Sequence, residues 1–228
     1  MFRNFLRFWS QEHSLTALLV ILIIELFVLS PITGIGRVVS LIVELVFSLI
    51  LLAGLLSMAR NKAIRVFFSL FVVLGAATHF GWKLFDLNFL AGWNSLFSSL
   101  AVMGMLMVTL WMVYQDGPVT AHRVRGAVAA YLLISVLFGK AYALINYLIP
   151  GAFNIALPVT LSPEEGGQAF YYFSIVTLTT VGYGDITAVA PTARSLVMAE
   201  ALIGQLYPAI LLARLVTLEI ETRRSGKG

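Results

Sequence analysis

Residues Thr177 to Asp185 read TLTTVGYGD, and their types and spacing suit one task, the holding of a bare cation. Gly182 and Gly184 stand two apart, with Thr180 and Val181 before them, Tyr183 between them and Asp185 after. Glycine reaches backbone dihedrals that other residues avoid, so alternating it with larger residues lets successive carbonyl oxygens turn toward one axis. Carbonyls of Thr180, Val181, Gly182 and Tyr183, joined by the Thr180 hydroxyl, can replace the water around an ion. This is binding rather than bond-making chemistry. No Ser/His/Asp set, paired-metal site or phosphate loop stands out, and His13, His79 and His122 are scattered over separate helix ends or loops. The chain is not expected to be an enzyme, and no cofactor is called for beyond the ions themselves.

Such a stretch has to be held somewhere, and composition says where. Hydrophobic residues make up 60% of the chain and charged ones 11%, more apolar surface than a water-soluble core can use, which places it in a lipid bilayer. With no cysteine there are no disulfides. Irregular backbone at membrane depth is tolerated only where protein buries it or it lines a watery cavity, so the glycine stretch should line a pore. A crossing takes ~20 apolar residues, and six segments qualify: about 13–30, 38–59, 64–82, 95–115, 124–149 and 191–218. Pro31, Gly34 and Gly36 mark a tight hairpin between the first two. Arg3 and Arg7 precede an apolar run that begins only at Leu15, with no small-residue cleavage site after it, so no cleaved leader is expected.

Basic residues set the orientation. Arg3 and Arg7, then Arg60, Lys62 and Arg65, then His122, Arg123 and Arg125, then Arg223, Arg224 and Lys227 fall on one side, against only Arg37 and Lys83 on the other. Both termini are therefore expected in the cytoplasm of a multi-pass protein of the cell membrane. The net charge of +4, spread over short loops, suits topology rather than nucleic-acid binding. The loop from Pro150 to Gly167 then lies outside and re-enters through a short helix, Gln168–Thr179, carrying Phe170, Tyr171, Tyr172 and Phe173. Glu164, Glu165 and Asp185 put negative charge at that mouth, although a solvated loop is the better account of the two glutamates.

In this setting TVGYGD, Thr180 to Asp185, resembles the selectivity filter of the tetrameric P-loop potassium channels. The resemblance runs over about the last hundred residues, from Val124 to Ile220, as outer helix, pore helix, filter and inner helix in order. It implies an all-α membrane protein with six crossings, a re-entrant pore helix and filter between the fifth and sixth, and passive K+-selective conduction. Potassium would sit at Thr180, Val181, Gly182 and Tyr183, with Gly184 and Asp185 completing the filter. One motif per chain implies a homotetramer. Residues 1–118 would form a four-helix N-terminal membrane domain and 119–228 the pore domain. By ungapped alignment through the filter, Gly204 falls where the family has an inner-helix glycine that lets the helix bend. Pro208, four residues on, removes the amide that would bond to the Gly204 carbonyl, so a hinge or kink is expected there. Two departures stand out: Val176 replaces a glutamate that in some members braces the filter aspartate, and Tyr172 and Phe173 replace a tryptophan pair.

The fourth span has no basic residue from Phe89 to Gln115, so conventional voltage gating, which moves helix charges through the field, is not expected. The tail ETRRSGKG after Ile220 is too short for a ligand-binding domain. Charges do lie inside other spans. Lys140 and Glu200 both come out ~13 Å below the outer surface by rise per residue, and an ion pair between them behind the pore helix is expected. Glu25 and Glu44 lie at similar depths to each other, as structural acids or as part of ion passage or pH sensing. Two other readings stay open: a potassium transporter subunit, which normally carries several degenerate filter loops per chain, and a solute carrier or membrane enzyme with a fortuitous glycine loop.

Overall fold

The computed structural model describes residues 14–29, 36–58, 61–87, 89–115, 120–156 and 163–225. Helix α1 (Ser14–Ile24) continues as a π-helical turn over Glu25–Leu29. It is followed by α2 (Arg37–Met58), α3 (Lys62–Phe85), α4 (Leu90–Val113) and α5 (Ala121–Leu148). Strand β1 (Phe153–Ile155), helix α6 (Pro163–Leu178), strand β2 (Ile186–Ala188) and helix α7 (Pro191–Ser225) complete the order. Local signals explain several boundaries. The Asn61 side chain accepts from the Ala63 amide (2.8 Å) at the start of α3, and Thr120 does the same for Arg123 (3.4 Å) at the start of α5. The Arg123 guanidinium also donates to the Gln115 carbonyl (2.7 Å), fastening the start of α5 to the residues just past the end of α4.

Among the described residues, five helical segments are long and apolar enough to cross a membrane: Val38–Leu56, Lys62–Phe85, Leu90–Val113, Ala121–Leu148 and Pro191–Arg214. The first of the six expected crossings is shorter, an apolar run of Leu15–Leu29 whose last five residues are π-helical from Glu25 onward. The all-α class holds, with one short addition: β1 and β2 form an antiparallel ladder with Asn154 opposite Thr187. The short helix before the glycine stretch begins at Pro163, not Gln168. Proline suits a first helical position, whose amide has no partner in any case. Glu164 and Glu165 therefore fall in the first turn of α6 rather than in the loop.

Packing follows membrane rules. Among lipid-solvated helices the drive is close van der Waals fit rather than exclusion of water, so small residues mark the contacts. On α4, a Cβ at Gly104 would lie 2.7 Å from Phe68 Cβ of α3, so the glycine is what lets that ring in. Leu15, Leu18, Leu22 and Leu26 recur every three or four residues along α1 and its extension and are all buried. Helix α1 packs on α5, α4 lies between α3 and α5, and α5 carries α6 on its other side. Helices α1 and α4 thus pack on α5, and α5 is the wall on which α6, leading into the glycine stretch, is mounted.

Candidate functional site

Helix α6 ends at Leu178, and the chain leaves it through Thr179 and Thr180 into an extended run to Asp185. Thr180, Gly182 and Gly184 all have positive φ (61°, 55° and 80°), whereas Val181 and Tyr183 between them do not. Left-handed and right-handed residues therefore alternate five in a row. Each such alternation reverses the turn made by the previous residue, so the strand stays extended while its carbonyls face one side. The glycines are needed for this backbone alone, since a Cβ at Gly182 or Gly184 would meet nothing within 4 Å. Thr180 pays for the same conformation with a side chain, a strain that only a firmly held segment sustains. The sequence pointed to the two glycines; the third left-handed residue carries no such mark.

The amides say what holds the segment. Those of Thr180, Val181 and Gly182 turn back onto the end of α6, donating to Thr177 O (2.9 Å) and, for the latter two, to Val176 O (3.0 and 3.3 Å). Among the described residues, no hydrogen bond ends on the carbonyls of Thr180, Val181, Gly182 or Tyr183. Donors on one side thus cap the helix and acceptors on the other are left open. Beyond the strand, Asp185 is fixed at three points. Its carboxylate accepts from the Ile186 amide (3.0 Å) and from the Tyr172 hydroxyl (2.6 Å), and its carbonyl accepts from the Ala156 amide (2.8 Å). The bond to Asp185 pushes the Tyr172 phenol up from 10.0 to about 12. The brace absent at Val176 is supplied from Tyr172 instead. The β1–β2 ladder and the bond from Arg194 Nε to Ala188 O (3.1 Å) tie the exit of the stretch to α5 and α7.

Helix α6 is itself hung on hydroxyls. Tyr131 of α5 donates to Leu178 O (3.0 Å), and Ser174 donates to Ser135 O (2.8 Å). Glu200 of α7, wholly buried, accepts from both Ser174 and Tyr142. This corrects the ion pair expected between Lys140 and Glu200. The two side chains point to different neighbours. Lys140 and Tyr142 are two residues apart, about 200° around the helix, so when Tyr142 faces α7 the lysine faces away. Lys140 looks instead toward the rings of Tyr171 and Phe47. Tyr131, Ser135, Tyr142 and Ser174 were not singled out in the sequence, where the only signal was hydroxyl side chains inside otherwise apolar helices.

Residues 131–221 match the ion channel family. Two pore potassium channel c of Oryza sativa subsp. japonica is 35% identical over 92 residues, which is 40% of this chain and 18% of that relative. Both matches support a likeness of this segment to the P-loop potassium channels. No solved structure matches. In the arrangement that the resemblance implies, α5 stands as the outer helix, α6 as the pore helix, Thr180–Asp185 as the filter and α7 as the inner helix.

At Gly204, α7 comes against the backbone of α6. A Cβ there would overlap the Leu178 carbonyl, lying 2.8 Å from its carbon and 3.0 Å from Leu178 Cα. Close approach thus gives Gly204 a role apart from bending. The inner helix runs unbroken through Pro208. Tyr207 points away from the filter base, its hydroxyl donating to Ala127 O (2.8 Å) and its ring stacked on Tyr131 at 5.8 Å. Arg214, lower on the inner helix, donates to Tyr114 O (2.6 Å) and lies over that ring, joining the inner helix to the end of α4.

Proposed function

We propose that the chain is the subunit of a K+-selective channel that conducts passively through a homotetrameric pore. The observation that carries this reading is the alternating backbone of Thr180 to Gly184, with amides spent on the pore helix and carbonyls left without partners. Potassium would shed its water against the carbonyls of Thr180, Val181, Gly182 and Tyr183 and the Thr180 hydroxyl, several ions in file displacing one another. The negative end of the pore-helix dipole points to the filter base and favours a cation there.

One strand cannot surround an ion. In the single chain Val181 is 53% exposed and Tyr183 71%, and Met198, Leu202, Leu206 and Ile210 form an exposed stripe at every fourth residue of the inner helix. Four copies around one axis would cover the first and use part of the second. The distribution of basic residues supports cytoplasmic termini and an external filter, with the shorter α1 making the sixth crossing of the cell membrane. Residues 1–118 would form the surround and 119–228 the pore. Because α4 lacks basic residues, conventional voltage gating is not part of this function. Bending at Gly204 and Pro208 would accompany opening.

K+ uptake into liposomes holding the purified chain, blocked by barium and absent for sodium, tests the reading. Uptake that depends on a co-transported ion would favour a transporter subunit, and no K+ flux in a protein that binds another solute would favour a carrier or enzyme.

A further inference from the structure

The first two helices carry acids that conduction does not use, and Lys140 of the outer helix lost its expected partner. These leftovers meet. Lys140 is only 7% exposed. Its Nζ lies 5.7 Å from the Phe47 ring centroid of α2 and 5.9 Å from the Tyr171 ring centroid of the pore helix. The carboxylate charges acting on the ammonium are those of Glu44, one turn from Phe47, and Glu25, at the start of the π turn. Glu25 Oε2 is buried without a hydrogen-bond partner among the described residues, so that acid acts on the lysine through its field. An ammonium at this depth demands counter-charge, and both carboxylates come from helices outside the pore.

Tyr171 is well placed to pass on whatever moves Lys140. The pore helix comes so close to the outer helix here that a Cβ at Gly139 would lie 3.2 Å from Tyr171 Cα. Tyr172, the next residue, braces Asp185, and Ser174 anchors to Ser135 and Glu200. We propose that Lys140 is a positioning residue: anchored by Glu44 and Glu25, it holds Tyr171 and so lets the N-terminal helices bear on the seating of the filter. The inference deepens the channel reading and rests on it for its conduction readout.

The test uses the full chain in lipid, with Tyr171→Phe, which removes only the hydroxyl, Glu25→Gln with Glu44→Gln, which removes the anchors, and all three together. Hydrogen exchange of amides 168–179 reads the coupling whether or not the protein conducts, and wild-type K+ flux reads the channel assignment separately. Each of the first two variants should speed exchange by about fivefold or more, and the combination should add nothing to the larger of them, because one linkage breaks once. The rate at which K+ current declines under steady driving force should change in the same pattern, with assembly mass unchanged. Effects that multiply in the combined variant, or pore-helix amides indifferent to the Glu25/Glu44 change, overturn the proposal. Should Lys140→Met not assemble, these variants, which keep the lysine, still decide it.

Discussion

Gly204→Ala separates two roles for one residue by the sign of its effect. If the glycine were there only to bend, alanine would stiffen the inner helix and, being the better helix former, stabilise it by ~1 kcal/mol. The structure demands the opposite. The new methyl would sit 2.8 Å from the Leu178 carbonyl carbon, where carbon atoms normally rest ~3.5–4.0 Å apart, so the helices must part by roughly 0.7 Å or more. Both sides of the contact are backbone or fixed to it, so no rotamer can absorb the overlap. Overpacking of this kind costs ~3 kcal/mol at the upper end, leaving a net loss of about 2 kcal/mol per subunit after the propensity gain. The displaced atoms lie next to Thr177 O and Val176 O, which receive the filter amides. Thermal unfolding in detergent and K+/Na+ permeability in bilayers should therefore both worsen. A variant that melts higher than wild type, with altered open time and intact selectivity, would refute the close-packing argument and restore the pure hinge.

Other expectations follow from single contacts. Glu200→Ala strips the acceptor from the buried Tyr142 and from one bond of Ser174, costing ~1–3 kcal/mol in denaturation, while Glu200→Gln keeps an acceptor and loses less. Lys140→Met should bring no rescue of either, and compensation in the double variant would revive the rejected ion pair. Tyr172→Phe should weaken the hold on Asp185 by about 1 kcal/mol per subunit, given solvent exposure, and shorten the life of the conducting filter several-fold. Because the folded phenol titrates above its ordinary value, its contribution is whole below pH 10.0 and fades as pH rises toward about 12. Filter lifetime limited by this bond should then be flat over about pH 6–9, and a Tyr172-dependent change in that range would count against it. Gly182→Ala meets no atom but forces a left-handed alanine, at ~1–2 kcal/mol per subunit; assembled tetramers with lost K+ preference are expected, and wild-type selectivity would be the contrary result.

The sequence was most informative along the membrane normal. Apolar runs located α2 to α5 and the inner helix to within a few residues at most ends, because hydropathy reports depth directly. It reported azimuth poorly. Lys140 and Glu200 came out level, yet a two-residue offset on α5 sends Lys140 to Tyr171 and Tyr142 to Glu200. Pro163 followed by Glu164 and Glu165 is a readable helix start, five residues ahead of the aromatic run that suggests Gln168. Two three-residue strands are too short to leave an alternation, and they form only because the filter exit lies beside the chain leaving α5. Val176 announced a missing brace, but no local pattern says that Tyr172 reaches Asp185 thirteen residues on. Gly204 was visible as a glycine; that it touches a carbonyl twenty-six residues earlier is a tertiary fact.

The most direct test of the central claim is a reversal potential under bi-ionic conditions, K+ on one side of a bilayer and Na+ on the other, with the purified chain as the sole protein. Dehydrated potassium held by the carbonyls of Thr180 to Tyr183 requires a displacement of about 59 mV for every tenfold preference, in the direction of K+. A current that reverses near zero, carrying Na+ as readily, would contradict the account.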